Sequence, residues 1–325
     1  MTKLAAFPLF IFLLSSGFGQ SIRPTGTEKS FDHNGTTRSY RIHLPRSLAD
    51  SEAKTPLVIC LHGGGSDAAT ISKSGWTTLA DKESFIIVYP EGLNRHWNDG
   101  RQVKKHAAQN AVIDDVDFLM NLLNEISETH PVDTSRIYVL GLSNGGFMTQ
   151  RLAIEHTERF AAISVQIASL PSTYIDGPLE FSPKAPLSVL FMNGTEDTFM
   201  PYEGGKLTPN MTPRLIKSET HDFGQGSATP VTEAVALWVE HNQLDIEACQ
   251  ITELPDLDVA DGCRIIHHRW GDKEKNIAIE LYEVRGGGHT IPGGAQYLPA
   301  RIIGPVCRDL SGIEATWEFF ESKRR

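Results

Sequence analysis

The stretch Ile137-Tyr138-Val139-Leu140-Gly141-Leu142-Ser143-Asn144-Gly145-Gly146 decides the fold of this chain. A β-rich apolar run enters a glycine-rich turn, and residues 144–155 continue with helical spacing, so the stretch predicts a strand, a sharp turn and a helix. The glycines two positions before and after Ser143 leave room for the backbone to turn. Such a turn raises the serine hydroxyl above the sheet edge, beside the positive end of the helix dipole, and makes Ser143 a candidate nucleophile. Since a serine in a glycine-rich turn is often only a turn residue, this interpretation requires partners elsewhere.

Apolar strands and helical stretches alternate on both sides of this turn. Such alternation predicts an α/β fold with a mostly parallel central sheet and helices on both faces. We expect strands over residues 40–44, 56–61, 85–89, 136–140, 160–165, 186–192 and 277–284, and helices over 76–81, 115–126, 144–155, 229–241 and 313–320. Asp114 or Asp115 is expected to cap the second helix. Thr229 is expected to cap the fourth, with Pro230 at its first position.

A serine nucleophile on this kind of fold requires a histidine late in the chain. His289 lies in Gly286-Gly287-Gly288-His289-Thr290, directly after the last strong strand. A loop at this point lets an imidazole reach the serine as a general base. His221, in another loop after Ser143, is the alternative.

The acid that orients the histidine has to lie between Ser143 and the histidine, after a strand. The segment Asn193-Gly194-Thr195-Glu196-Asp197 follows the strand predicted over 186–192. Asp197 is the expected acid, and Glu196 is its rival.

Two turns are expected to supply backbone N–H donors to a developing oxyanion. One donor is the amide of Asn144, and the others are Gly63 and Gly64 in the His62–Gly65 loop, where glycine permits close approach. This loop is not typical of a phosphate site, because no Gly-Lys-Ser/Thr ending follows it. His62 is expected to be a structural hydrogen-bonding residue.

These motifs together resemble the secreted polyhydroxybutyrate depolymerase and feruloyl esterase group of carbohydrate esterase family one and its relatives, over about residues 40–320. The resemblance rests on Leu61-His62-Gly63-Gly64-Gly65, Tyr89-Pro90-Glu91-Gly92, Asp114-Asp115-Val116-Asp117-Phe118, residues 132–139, Gly141–Gly146, Asn193–Asp197 with Pro201-Tyr202, and Gly286–Thr290. It implies an α/β-hydrolase fold and a triad of Ser143, Asp197 and His289. We expect no cofactor, no metal and a small or oligomeric ester substrate of plant cell-wall or polyester origin.

The chain departs from this family in the histidine loop. The family commonly has Gly-His-Thr-Trp-Pro-Gly, whereas Ile291 stands here at the position of that tryptophan. Ile291 is therefore a candidate substrate contact of a different kind. Trp97 either lines the pocket in place of the missing aromatic residue or is only a packing residue.

The N-terminus predicts export. Lys3 precedes an apolar run over residues 4–14, and Ser15-Ser16-Gly17-Phe18-Gly19 follows with small residues where a signal peptidase requires them, so residues 1–19 are expected to be a signal peptide cleaved after Gly19. The run is shorter than the ~20 residues of a membrane-spanning helix, so we expect a secreted or periplasmic protein without a membrane anchor. The formal charge of −10 argues against nucleic acid as a partner.

Export permits disulfides, and the chain has four cysteines. Cys249 and Cys263 flank a turn-prone stretch and are the expected pair. Cys60, inside an apolar strand, is expected to be a buried free thiol, and Cys307 could be either. No close pair of cysteines or histidines has zinc-type spacing.

Residues 20–325 are expected to form a single catalytic domain, with loop or cap insertions near residues 200–230 and 250–275. Two alternatives to an esterase remain at this point. One is a serine peptidase of the prolyl-oligopeptidase type, which usually carries a large additional N-terminal domain. The other is a non-catalytic binding protein on a hydrolase scaffold, although all three candidate triad residues are present.

Overall fold

The computed structural model describes residues 23–48, 53–101, 103, 113–172, 180–207 and 226–325. The strands within these ranges are β1 Thr27–His33, β2 Thr36–His43, β3 Thr55–Leu61, β4 Ile86–Pro90, β5 Val132–Leu142, β6 Ala162–Gln166, β7 Ser188–Gly194, β8 Gly205–Lys206, β9 Ser227–Ala228, β10 Gln250–Glu253, β11 Arg264–Asp272 and β12 Ile277–Arg285. The helices are α1 Ala68–Ile71, α2 Trp76–Glu83, α3 Asp115–Thr129, α4 Asn144–Glu155, α5 Val231–His241, α6 Ala300–Ile303 and α7 Gly312–Glu321.

Ten of these strands form one sheet in the order β1-β2-β4-β3-β5-β6-β7-β12-β11-β10. The six central strands, from β4 to β12 in this order, run parallel. Antiparallel strands extend the sheet at both sides, β2 and β1 at one and β11 and β10 at the other. The predicted mainly parallel sheet is therefore present, and the carboxyl ends of its central strands share one edge.

Helices cover both faces of the sheet, as the alternating pattern predicted. Along β3, Leu57 and Ile59 pack into one core cluster, whereas Val58 and Cys60 pack into the other. The first cluster takes the apolar sides of α3 and α5, and the second takes those of α2 and α7. Since side chains alternate between the faces of a strand, a continuous apolar run such as β3 is what a strand buried on both faces requires.

Helix boundaries follow local capping chemistry. Asp114 caps α3 by accepting a hydrogen bond from the Asp117 amide (2.9 Å), which selects the first of the two predicted capping residues. Helix α4 has the predicted bounds. Helix α5 begins at Val231 with Pro230 as its N-cap residue, one position later than the predicted cap at Thr229.

The segment 250–275 differs from the expected loop insertion. It contains β10 and β11, which pair antiparallel and continue the central sheet beyond β12. Most of the other expected insertion, including the alternative base His221, lies outside the described residues, as does the predicted signal peptide. Within the described ranges, none of the helices has both the length and the apolar character needed to cross a bilayer.

Candidate active site

Ser143 lies on a strained turn between β5 and α4. Its backbone has φ 53° and ψ −118°, a conformation that costs a non-glycine residue free energy and persists only where the surroundings enforce it. A Cβ atom on Gly141 would overlap the carbonyl oxygen of Gly145, and one on Gly145 would lie 2.5 Å from the carbonyl oxygens of Leu61 and His62. The structure thus confirms the steric reason for both glycines around Ser143.

His289 and Asp197 form a buried pair. Nδ1 of His289 lies 2.6 Å from Oδ2 of Asp197, and the two side chains are 6% and 0% exposed. The other carboxylate oxygen accepts the backbone N–H groups of Phe199 and Met200, both at 2.8 Å. Glu196 is exposed, so the carboxylate that reaches the histidine is that of Asp197. Because Nδ1 donates to a fixed carboxylate, Nε2 is the nitrogen left to act as a base.

The loop of His289 is fixed by its own backbone. The His289 amide donates to the Ile303 carbonyl (2.5 Å), and the Tyr297 hydroxyl donates to the His289 carbonyl (3.0 Å). The ring of Phe199 meets the imidazole edge to face, with centroids 5.2 Å apart. Phe199 and Tyr297 are therefore neighbours of His289 that the sequence analysis did not identify, since neither lies in the motif around the histidine.

Ser143, Asp197 and His289 follow the carboxyl ends of β5, β7 and β12, which lie on one edge of the sheet with β6 between β5 and β7. Ligand sites of open α/β sheets form along this edge. Within the described part of the chain, the Ser143 hydroxyl forms no hydrogen bond to His289. In ligand-free enzymes such bonds are often long and tighten only in the complex with substrate.

The glycine loop after β3 lies against the serine turn. A Cβ atom on Gly63 would be 3.6 Å from Cβ of Ser143, and one on Gly64 would be 3.4 Å from Cβ of Asn144. The amide of Asn144 belongs to the first residue of α4 and so has no acceptor within the helix. Of the three expected donors, Gly63 and Asn144 thus adjoin Ser143, and Gly64 lies against Asn144.

His62 fixes the glycine loop through two hydrogen bonds of its ring. Its side chain is fully buried, Nδ1 donates to the Gly63 carbonyl (2.8 Å) and Nε2 accepts the Gly92 amide (2.9 Å). Burial lowers the pKa of His62 to about 4, so the ring is neutral at pH 7. These contacts agree with the predicted structural role of His62.

The side chain of Asn144 ties the serine turn to the segment after β4. Its amide group donates to Oδ2 of Asp99 (2.5 Å) and to the Trp97 carbonyl (3.1 Å), and its oxygen accepts the Trp97 amide (2.8 Å). Asp99 is fully buried and also binds the Arg101 guanidinium (2.6 Å). The sequence pattern predicted a role only for the backbone of Asn144, because the contacts of its side chain depend on a segment distant in sequence.

Of the two expected substrate contacts, the structure favours packing for Trp97. Its indole is 0% exposed and donates Nε1–H to the His62 carbonyl (2.9 Å), so it supports the glycine loop rather than facing a cleft. Ile291 is partly exposed and packs at the border of the second core cluster, beside His289 in sequence.

The expected Cys249–Cys263 disulfide is wrong. In the register of β10 and β11, Gln250 lies opposite Arg269, so Cys249 adjoins the far end of β11, whereas Cys263 precedes its first residue. Seven residues of extended strand separate these levels by about 23 Å, and a disulfide requires Cα atoms within about 7 Å. All four cysteines are free thiols in this structure, with Cys60 buried as predicted.

Comparison with known proteins agrees with this architecture. A family model, "Esterase: Putative esterase", matches residues 33–226, a range that contains Ser143 and Asp197. The chain is 28% identical over 287 residues to "Putative esterase NocK" of Nocardia uniformis subsp. tsuyamanensis, covering 88% of this chain and 79% of that protein. It is 24% identical to Feruloyl esterase B of Piromyces equi over 78% of this chain and 42% of that protein.

A shorter similarity, 31% identity over 126 residues, relates the chain to Poly(3-hydroxyalkanoate) depolymerase C of Paucimonas lemoignei and spans 28% of that enzyme. Among solved structures, Acetyl xylan esterase from Aspergillus awamori superposes with a TM-score of 0.58 at 16% identity, over 91% of this chain and 99% of that one. Together with the sheet order, this likeness confirms the predicted α/β-hydrolase fold.

Proposed function

The chain belongs to the esterase family and is a carboxylic ester hydrolase, and from this premise we propose that it acts through an acyl-enzyme on Ser143. His289 is the general base and acid, Asp197 orients it, and the amides of Gly63, Gly64 and Asn144 bind the oxyanion. The observation that carries this proposal is the buried Asp197–His289 pair on the sheet edge that also bears the Ser143 turn.

In the first half of the reaction, Oγ of Ser143 attacks the ester carbonyl carbon while Nε2 of His289 takes its proton. The negative charge that develops on the carbonyl oxygen is stabilised by the N–H groups beside Ser143. His289 then gives the proton to the leaving alcohol. In the second half, water attacks the acyl-enzyme with the same proton transfers and releases the acid and the free serine.

Replacement of Ser143 tests the nucleophile. Ser143→Ala should fold as the wild type, because alanine adds no atom to the turn, and should lose at least about 10⁴-fold in kcat for an activated ester. The measurement is hydrolysis of 4-nitrophenyl acetate, with a fluorophosphonate probe to label the wild-type serine. Wild-type turnover by the variant would exclude Ser143 as the nucleophile, and absence of labelling of the folded wild type would favour a non-catalytic scaffold.

For the substrate, we propose small or oligomeric soluble esters of acetyl, feruloyl or 3-hydroxyalkanoate type. The names of the similar proteins support this range, and the aromatic ring of Phe199 against His289 offers an apolar contact next to the reacting ester. Hydrolysis of 4-nitrophenyl acetate, methyl ferulate, a 3-hydroxybutyrate oligomer and an aminoacyl-proline amide should be compared by kcat/KM. A preference for the amide would contradict the proposal and favour a peptidase.

We further propose that the protein is exported and loses residues 1–19. The basic residue, apolar run and small residues at its N-terminus support this. Intact mass of the protein recovered outside the cytoplasm should match a chain beginning at Gln20, and retention of the apolar run in that protein would contradict cleavage.

A further inference from the structure

Two of the free cysteines lie together in the core. Cys263 and Cys307 are 0% and 1% exposed, and their sulfur atoms lie within 4.8 Å of each other and of a carboxylate oxygen of Asp261. A disulfide has an S–S length of ~2.05 Å, so the two sulfur atoms are close neighbours that must approach further to bond. Neither cysteine is needed for the reaction proposed above.

The backbone around both cysteines is held in register independently of the sulfur atoms. One carboxylate oxygen of Asp261 accepts the Cys263 amide (2.7 Å), and the other accepts the Arg308 amide (2.7 Å). Asp309 links the same two segments, because its Oδ1 accepts the amides of both Leu257 and Asp258 (2.7 and 3.1 Å). Segments 257–263 and 307–309 are thus clamped together before any covalent bond is made.

The segment that ends at Cys307 also carries the histidine loop. The Gly288 amide donates to the Pro305 carbonyl (2.9 Å), as does the Thr290 hydroxyl (3.1 Å), and the Gly293 amide donates to the Cys307 carbonyl (2.8 Å). Residues 303–307 therefore form a support alongside residues 288–293. His289 lies between Gly288 and Thr290, the two residues that bond to Pro305. A covalent bond at Cys307 would fix the end of this support to the start of β11.

We propose that Cys263 and Cys307 form a disulfide that fastens the support of the His289 loop to the central sheet. In its formation the two thiols lose two protons and two electrons, one S–S bond forms, and a disulfide oxidant such as oxidised glutathione is reduced to two thiols. Burial, the largest cause, raises the pKa of Cys263 to about 12 and that of Cys307 to about 11. Because thiolate is the reactive species, the bond forms while the chain folds and, once buried, resists reduction.

Asp261, Cys263 and Cys307 also have side chains of the kind that bind metal ions. The chemistry of these three residues fits a disulfide better. Structural zinc requires four ligands in tetrahedral geometry, and the described residues supply three. Both oxygens of Asp261 already accept backbone amides. Zinc binding is therefore an outcome that the experiment has to exclude.

The test is a thiol count on the full chain made in two compartments, the oxidising bacterial periplasm and the reducing cytoplasm. Thiols are alkylated under denaturing conditions without reductant, and the peptides are mapped by mass spectrometry. The periplasmic protein should show two alkylated cysteines of the four in the chain, Cys60 and Cys249, and a peptide pair joined through Cys263 and Cys307. Four alkylated cysteines, a bond to Cys249 or Cys60, or one equivalent of tightly bound zinc would each overturn the proposal.

The fastening role is tested by thermal unfolding, followed through tryptophan fluorescence, a readout that does not depend on esterase activity. Cys263→Ser and Cys307→Ser, made in the periplasm, should each lower Tm at least to the value of the reduced wild type, because a buried hydroxyl adds its own cost, whereas Cys249→Ser should keep the Tm of the oxidised protein. Equal Tm values for the oxidised and reduced wild type would contradict the role. If esterase activity is absent but the bond and the Tm shift are found, only the proposed function fails.

Discussion

Asp197 and Glu196 are adjacent acids with opposite surroundings. The Asp197 carboxylate is buried, binds His289 and accepts two backbone amides, whereas Glu196 is exposed. Asp197→Asn replaces the acceptor of the histidine proton by an amide, which favours the wrong tautomer. We expect kcat to fall by up to about 10⁴-fold with a small change in KM, measured on 4-nitrophenyl acetate.

Glu196→Gln is the matched control, because it makes the same chemical change one residue away at the surface. Its kcat should remain within about twofold of the wild type, since an exposed charge is screened by solvent. A large loss in Glu196→Gln, with Asp197→Asn unaffected, would show that the acid was assigned to the wrong residue.

A residue of the site can be predicted from the sequence when its role depends on neighbours in the chain, and it escapes prediction when its role depends on contacts with distant segments. The glycines around Ser143 follow from the geometry of one turn, so the sequence pattern identified the serine. Asp197 was preferred to Glu196 only by position. The hydrogen bonds that its carboxylate accepts from the backbone amides of Phe199 and Met200 explain why Asp197 is the residue held beside His289. Phe199 and Asp99 were missed because their roles depend on contacts between distant segments.

At the scale of elements, the glycine loop after β3 depends on the neutral form of His62. Its Nε2 accepts the Gly92 amide, and a protonated ring cannot accept this bond. Since the folded-state pKa is about 4 and the unfolded value is about 6.5, the unfolded chain takes up a proton first as pH falls. The His62 contribution to stability is therefore complete above pH 6.5 and is lost progressively between 6.5 and 4.

We expect the difference in unfolding free energy between pH 7 and pH 4 to contain up to about 3 kcal/mol from His62. Urea unfolding across this range, compared between the wild type and His62→Gln, measures it, because glutamine can keep both hydrogen bonds without titrating. His156→Gln, at a partly exposed histidine, is the control. An unchanged pH dependence in His62→Gln would show that acid destabilisation arises elsewhere.

The hairpin of β10 and β11 shows why an element can escape sequence-based prediction. All four residues of β10 are exposed and only one of them, Ile251, is a large apolar residue, so the periodicity of a half-buried strand is absent. The proximity of Cys249 to Cys263 in sequence then suggested a loop closed by a disulfide. The strand register excludes this disulfide. Cys249 lies beside one end of β11 and Cys263 lies at the other end, and β11 is as long as its partner β12.

At the scale of the whole molecule, the proposed bond joins the start of β11 to the segment between α6 and α7, two parts of the fold that are distant in sequence. A disulfide between Cys263 and Cys307 closes a loop of about 45 residues, for which the chain-entropy model gives about 4 kcal/mol of stabilisation. This loop includes β12, the His289 loop and α6. The central strands β3 to β7 lie outside it and depend on burial in the two core clusters.

We therefore expect the oxidised protein to be more stable to urea than the reduced protein by about 2–4 kcal/mol, because strain reduces the ideal value. The Cys263→Ser/Cys307→Ser double variant should unfold at or below the midpoint of the reduced wild type, because two buried hydroxyls add their own cost, and should not respond to reductant. Cys249→Ser should retain the full response, since its thiol lies at the other end of β11. A response to reductant that persists in the double variant, or disappears in Cys249→Ser, would mean that another pair of cysteines carries the bond.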